Sequence, residues 1–303
     1  MHINFWQVIF LALLQGVTEL FPISSLGHTV IIPGLLPQLF PLDFATNTAC
    51  GGKSCFLPLV VALHLGTSVA LVIYFWRDWV QVIMTIVNSI KKAEIRKDSE
   101  EWVGWLIIIG CVPGGILGVI LQEYADKIFS SAIIAAAFLV VNGSILFVGE
   151  AMRKRAEAKY GISADAERST AFRPLASLSW KEAIIVGLCQ ALALIPGISR
   201  SGVTMVGGLS VGLSHEDAAR YSFLLGTPLI AAAGLLEVPQ LLGQSAQTWE
   251  LIIPGIILSG IAAFLSTRFL TKYFEKGRLT PFAIYCWAFG LIALGILFAT
   301  NAS

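Results

Sequence analysis

Residues 15–28 read QGVTELFPISSLGH. They follow the apolar run FWQVIFLALL at residues 5–14, and where that run would otherwise continue they place a glutamine, a glutamate, two serines and a histidine. What this stretch means depends on the solvent around it. Of 303 residues, 56% are hydrophobic and 13% charged, whereas soluble domains carry roughly 25% charged residues. Six stretches lack Asp, Glu, Lys and Arg: Phe56 to Trp76, Trp102 to Leu121, Ser131 to Gly149, Tyr221 to Leu236, Leu251 to Thr267 and Pro281 to Thr300. Each approaches the roughly 20 residues a spanning helix needs. These runs are continuous, without the alternation of a lipid-and-lumen strand, which argues against a β-barrel. Residues 15–28 therefore interrupt a helix at bilayer depth. The amino terminus has no Lys or Arg before Lys53 and no small-residue cleavage site, so it does not read as a removed signal peptide.

Charge orients the bundle. All but four of the 20 Lys and Arg residues fall in three connections, at residues 77–97, 153–181 and 268–278. The positive-inside rule makes these cytoplasmic and turns the connections near Lys53, near Lys127 and at residues 240–248 outward, with both termini outside. The formal net charge is +1, and the basic residues sit where topology wants them, so no nucleic-acid partner is expected.

Two apolar segments are too short to span and are broken by Pro, Gly and Ser: residues 5–40, interrupted by FPISSLGH, and residues 180–213, interrupted by IPGISRSG. Each reads as a helix, a break and a second short helix, and each precedes three full spans. The chain thus divides into halves at residues 1–152 and 178–303, and an odd number of crossings per half gives the second the opposite orientation. The expected fold is an all-α polytopic membrane protein: one membrane domain over residues 1–303, with six transmembrane helices and two re-entrant helical hairpins in an inverted-topology repeat.

Broken helices at membrane depth are tolerated where the freed backbone is buried in protein or lines a polar cavity. Two breaks entering from opposite faces meet near the midplane. There they gather Gln15, Glu19, Ser24, Ser25 and His28 with Ser199, Arg200, Ser201 and Thr204. Gln15 and Glu19, spaced i, i+4, share a helix face. Arg200 beside the start of a half-helix near Gly202 suits a phosphate. Glu19 opposite would repel that phosphate unless a divalent cation or a transferable proton mediates, and Mg²⁺ binds through one or two carboxylates plus phosphate oxygens and waters. An ionisable residue at bilayer depth is functional by default, which singles out Glu19 and Arg200. Intramembrane Ser taken singly is as well explained by close helix packing. His64, inside the first full span, reads equally as a histidine satisfied by a backbone carbonyl and stays off the catalytic set. Cys111, Cys189 and Cys286 read as small core residues, and Cys50 and Cys55 as the ends of a short outward loop able to close a disulfide. Trp76, Trp79, Trp102 and Trp249 read as interfacial anchors.

QGVTELFPISSLGH and PGISRSGVT resemble the two signatures of the undecaprenyl-diphosphate phosphatases, the bacitracin-resistance family, and the likeness extends through YSFLLGTPLIAAAG and PFAIY. The resemblance implies hydrolysis of undecaprenyl diphosphate, a C55 polyprenyl diphosphate lipid, at the outer face of the cytoplasmic membrane, recycling the carrier for cell-wall synthesis and giving bacitracin resistance. By position it implies Glu19 as the essential glutamate and a metal ligand, His28 as the histidine of the first signature, Arg200 as the group gripping the diphosphate and Ser25 as nucleophile. Gln15, Ser24, Ser199, Ser201 and Thr204 fall as substrate contacts, with Mg²⁺ or Ca²⁺ as the divalent cation. Gln15 stands where many relatives carry Glu, leaving one carboxylate in the motif, and Leu26 where many carry a small hydroxyl residue. The pocket and paired broken helices also suit a different class, a transporter or flippase of polyprenyl phosphate.

Overall fold

The computed structural model describes residues 4–37, 39–40, 56–92, 95, 100–128, 131–159, 172–241 and 245–301. Cys50, Lys53 and Cys55 lie outside the described residues, as do Arg96, Lys97 and Arg168 of the basic connections. Among the described residues the chain is all-helical, with eleven α-helices: α1 (Phe5–Thr18), α2 (Ser25–Leu35), α3 (Phe56–Tyr74), α4 (Trp76–Lys92), α5 (Glu100–Ile128), α6 (Ala132–Lys159), α7 (Trp180–Ala191), α8 (Arg200–Ser210), α9 (His215–Leu241), α10 (Ala246–Phe274) and α11 (Thr280–Asn301). Five of them, α5, α6, α9, α10 and α11, are long and apolar enough to cross a membrane, and α3 with α4 makes a sixth pair bent by 81°. This is a multi-pass membrane protein, with a helix at each of the six stretches read from sequence. Helices α1, α2, α7 and α8 have 14, 11, 12 and 11 residues. At about 1.5 Å per residue none reaches across a hydrocarbon core of about 30 Å.

The helix starts follow local chemistry. Asn4 and Gln7 close a reciprocal capping box at α1, and Ser179 and Glu182 do so at α7. Arg173 reaches Glu182 at 2.5 Å, fastening the approach to α7. Ser214 Oγ accepts from Asp217 N at 2.9 Å and caps the start of α9.

Close packing is built from small residues, as expected where lipid tails offer no hydrophobic drive between helices. A Cβ on Gly66 of α3 would stand 1.9 Å from Ile256 O of α10, and one on Gly16 of α1 would stand 2.3 Å from Ser259 O. The helices α1 and α3 thus lie directly on the α10 backbone. Large aliphatic residues are instead exposed outward, as Ile253, Ile257, Ile261 and Leu265 are along one side of α10, an apolar face suited to lipid.

Two regions depart from the sequence reading. The basic connection after the first span is not simply a loop, because residues 76–92 form α4. Its apolar residues recur at helical spacing: Val82 and Ile86 pack toward α5, while Trp76, Val80, Ile83, Met84, Val87 and Ile90 stay exposed. Trp102, read as an interfacial anchor, is buried, and its indole Nε1 donates to Leu178 O at 2.6 Å because the 3₁₀ turn Leu175–Ser177 packs on α5. Trp76 is exposed as expected. Cys286 is fully buried, whereas Cys111 and Cys189 are half-buried, and all three are free thiols.

Just past the apolar stretch of α6, Glu150 is buried and accepts hydrogen bonds from Arg278 Nη1 at 3.0 Å and Leu279 N at 3.1 Å, with His215 Nε2 at 3.1 Å. This knot joins α6, the start of α9 and the turn between α10 and α11.

Candidate active site

The first break lies between α1 and α2. Pro22 supplies no N–H, and Ser24 takes a left-handed backbone at φ 69° while its Oγ caps α2 by accepting from Gly27 N at 3.1 Å. The second break follows α7 through a 3₁₀ turn at Leu192–Leu194. There Gly197 has φ +93°, and a Cβ on it would stand 2.2 Å from Ala135 O, so conformation and contact both demand glycine. Ser199 then caps α8 by accepting from Gly202 N at 3.2 Å.

The two breaks touch. A Cβ on Gly27 would lie 3.1 Å from Gly197 Cα. Asn142 of α6, fully buried, spans them: its Nδ2 donates to Pro22 O at 3.0 Å and its Oδ1 accepts from Ser199 N at 2.9 Å. Ser201 Oγ donates to Phe21 O at 3.1 Å. Sequence reasoning passed over Asn142 because it searched the spans for charges, yet a buried amide needs partners as a charge does.

Glu19 is the hub. Its Oε2 accepts from Gln15 Nε2 at 3.1 Å and from Ser25 Oγ in a short hydrogen bond, and His64 Nε2 lies 3.3 Å from the same oxygen. Arg200 Nη2 reaches Oε1 at 3.3 Å. The Arg200 Nη1 donates to Ser222 O at 3.1 Å, while its Nε is buried with no hydrogen-bond partner among the described residues. Glu19, Ser24, Ser25, His64, Ser199 and Arg200 line one cavity of about 370 Å³, whose remaining wall is mostly apolar. Such a chamber joins a hydroxyl, a carboxylate in contact with it and a guanidinium, the parts needed to transfer a phosphoryl group.

The other residues named from sequence are placed differently. Gln15 is fully buried behind Glu19, its Oε1 without a partner among the described residues. Thr204 Oγ1 donates to Arg200 O at 2.6 Å, and Ser201 is engaged with Phe21 O, so both hydroxyls brace the second break. His28 points away from Glu19: its Nε2 meets Tyr285 OH at 2.8 Å, its Nδ1 meets Ser24 O at 2.7 Å, and its ring stacks on Phe289. His64, kept off the catalytic set, does both things weighed for it. Its Nδ1 meets Val60 O at 3.0 Å while Nε2 faces Glu19. The signal that would have found it is the one applied to Glu19, an ionisable side chain inside an otherwise uncharged span.

Comparison with known proteins bears on this geometry. The model of a family described as bacitracin resistance protein BacA matches residues 8–292, a range that includes both breaks. The chain belongs to that family. An undecaprenyl-diphosphatase of Mycolicibacterium paratuberculosis is 41% identical over 298 residues, covering 94% of each chain. An undecaprenyl-diphosphatase 1 of Burkholderia pseudomallei is 42% identical over 301 residues, covering 96% of each. An undecaprenyl-diphosphatase 2 of Frankia alni is 41% identical, covering 96% of this chain and 98% of its own.

One glycine of this BacA-family chain sets the position of Arg200. A Cβ on Gly226 would stand 1.8 Å from Arg200 Nη1. The obstructing atom is the end of a long side chain, so in Gly226→Ala the helix holds and the guanidinium moves. Phosphate release from prenyl diphosphate is expected to fall by about 10- to 100-fold, the scale of a displaced positioning group. The thermal unfolding midpoint should stay near that of wild type. A variant that unfolds but keeps its specific activity would contradict this account.

Proposed function

We propose that this chain is an integral-membrane phosphatase that hydrolyses undecaprenyl diphosphate to undecaprenyl phosphate and inorganic phosphate. The observation that carries the reading is the convergence of Ser25, Glu19 and Arg200 from two broken helices in one cavity with an apolar wall. Family membership and the names of the relatives fix the substrate class. In this reading the Ser25 hydroxyl attacks the terminal phosphorus and its proton passes to Glu19 Oε2. The prenyl phosphate leaves with the bridging oxygen, and water then attacks the phosphoserine to release phosphate and restore Ser25. Arg200 stabilises charge on the equatorial oxygens. His64, against the same carboxylate oxygen as Ser25, orients Glu19 and offers the proton an onward path. The geometry favours Glu19 over His28 as proton acceptor, and His28 anchors the start of α2 against α11.

A divalent cation fits the donor set. Glu19, at the end of α1, lines the cavity, and Gln15 Oε1 behind it is a second hard oxygen that has no partner among the described residues. Mg²⁺ or Ca²⁺ is held by few protein oxygens when substrate phosphates and waters supply the rest. Among the described residues no three His, Cys, Asp or Glu gather to hold a metal, so the cation would enter with the diphosphate. Its contribution is neutralisation of phosphate charge.

The site belongs, in this reading, to the outer side of the cytoplasmic membrane within an inverted repeat. In support, each broken pair precedes three helices that coincide with uncharged apolar runs, α3, α5 and α6 or α9, α10 and α11. The test is phosphate release from C55 diphosphate by detergent-purified protein, with and without Mg²⁺ or Ca²⁺. Cation-dependent release supports the reading. Binding of the lipid without release would leave a carrier of polyprenyl phosphate.

A further inference from the structure

Gln190, near the end of α7, is 3% exposed and lines the same cavity. Among the described residues, neither its Nε2 nor its Oε1 has a hydrogen-bond partner. A buried amide left unmet at both ends is costly, and such groups in native proteins are met by water or a ligand. Asn142, by contrast, is tied to protein at both ends of its amide, and Gln15 and Arg200 each keep at least one bond to Glu19. Gln190 is an unmet amide in the wall of the cavity.

Its level in the cavity shows what it faces. The Arg200 guanidinium bonds to Ser222 O and rests over Gly226 of α9. Gln190 lies farther along: a Cβ on Gly114 of α5 would stand 3.0 Å from Leu229 Cδ1 and 3.6 Å from Gln190 Nε2. From Gly226 to Leu229 the axis advances about 4.5 Å, which sets the amide about one helical turn along the cavity from the guanidinium. Beyond Gln190 the wall turns apolar and roomy. Gly115, Gly118, Ala233 and Leu236 line it, and a Cβ on Gly118 would meet nothing within 4 Å. The order along the cavity is thus cation, amide, then a trough of small residues.

We propose that Gln190 holds the inner phosphate, the one bonded to the prenyl chain, with its NH₂ on the non-bridging oxygens. The trough beyond it takes the first isoprene units. This rests on the diphosphatase reading and adds a division of labour to it: Glu19, Ser25 and Arg200 act on the phosphate that is removed, while Gln190 holds the one that stays with the lipid. An amide carries no charge, so it grips the inner phosphate, which gains charge as it leaves with the bridging oxygen, without retaining the product as strongly as a second cation would.

The experiment is steady-state kinetics of detergent-purified Gln190→Leu on C55 diphosphate, with inhibition by undecaprenyl phosphate and by inorganic phosphate measured separately, and thermal unfolding alongside. Leucine fills the space without burying an unmet polar group, so the unfolding midpoint should equal or exceed that of wild type. KM should rise about tenfold, the scale of a lost hydrogen bond to a charged group, with kcat moving far less. Inhibition by undecaprenyl phosphate should weaken about tenfold while that by inorganic phosphate holds. Unchanged KM and unchanged inhibition by undecaprenyl phosphate would overturn the assignment, as would weakened inhibition by inorganic phosphate. Gln190→Met, unbranched and closer in shape, reads the same comparison if the leucine variant fails to fold. Wild type that releases no phosphate fails the diphosphatase reading. Wild type that does, beside indistinguishable variants, fails this inference alone.

Discussion

Glu19→Gln is expected to slow phosphate release by about 10³-fold, within the range lost with a general base. The substitution keeps the volume and the contact with Ser25 Oγ, but an amide does not take up the hydroxyl proton. Because the proton moves in the transition state, kcat and kcat/KM should fall together while KM changes little. Steady-state kinetics on C55 diphosphate check this. A variant that keeps its kcat and loses only affinity would move Glu19 from proton acceptor to binding group.

The second large effect belongs to Arg200. Arg200→Ala is expected to reduce phosphate release by about 10⁴-fold, as when a guanidinium aligned with a transferring phosphoryl group is removed. Lysine should recover little of this. The two ends of the guanidinium are held apart, Nη1 by Ser222 O and Nη2 by Glu19 Oε1, and an ammonium presents no such fork. The measurement is single-turnover release by Arg200→Ala and Arg200→Lys beside wild type. Recovery by lysine to within tenfold of wild type would show that charge suffices and geometry does not matter.

Much of this arrangement was legible in the sequence. The positions of the long helices follow from uncharged runs, and the two breaks follow from Pro, Gly and Ser inside segments too short to cross. Glu19 and Arg200 stood out because charge at bilayer depth is costly, and the structure brings them together at 3.3 Å. What stayed hidden has a common cause. Asn142 and Gln190 are uncharged amides, so they carry no comparable signal, and the partners of Asn142, Pro22 and Ser199, lie far away in the chain. His64 carried the signal, but only the fold shows that it faces Glu19. His28 sits in the first signature yet turns toward Tyr285, since the direction of one side chain at a helix start depends on the neighbour it meets. The helix α4 was legible as a periodic pattern, but its basic ends led to its being read as a connection.

The seam between the breaks also bears on the order in which the site forms. Residues 1–152 carry Glu19, Ser25 and Asn142, while Arg200 and Ser199, which meet Glu19 and Asn142, come about fifty residues later. Until α8 enters, the Glu19 carboxylate has no guanidinium and Asn142 Oδ1 lacks its donor, and neither group settles in a dry membrane interior unpaired. Ser24, at φ 69°, adds a backbone state that an isolated segment would not keep. The amino-terminal half emerging from synthesis therefore has reason to stay hydrated at its break, and drying of the chamber coincides with arrival of the second half. Catalytic competence is in this sense a property of the completed chain, with maturation of the site and closure of the fold being one event.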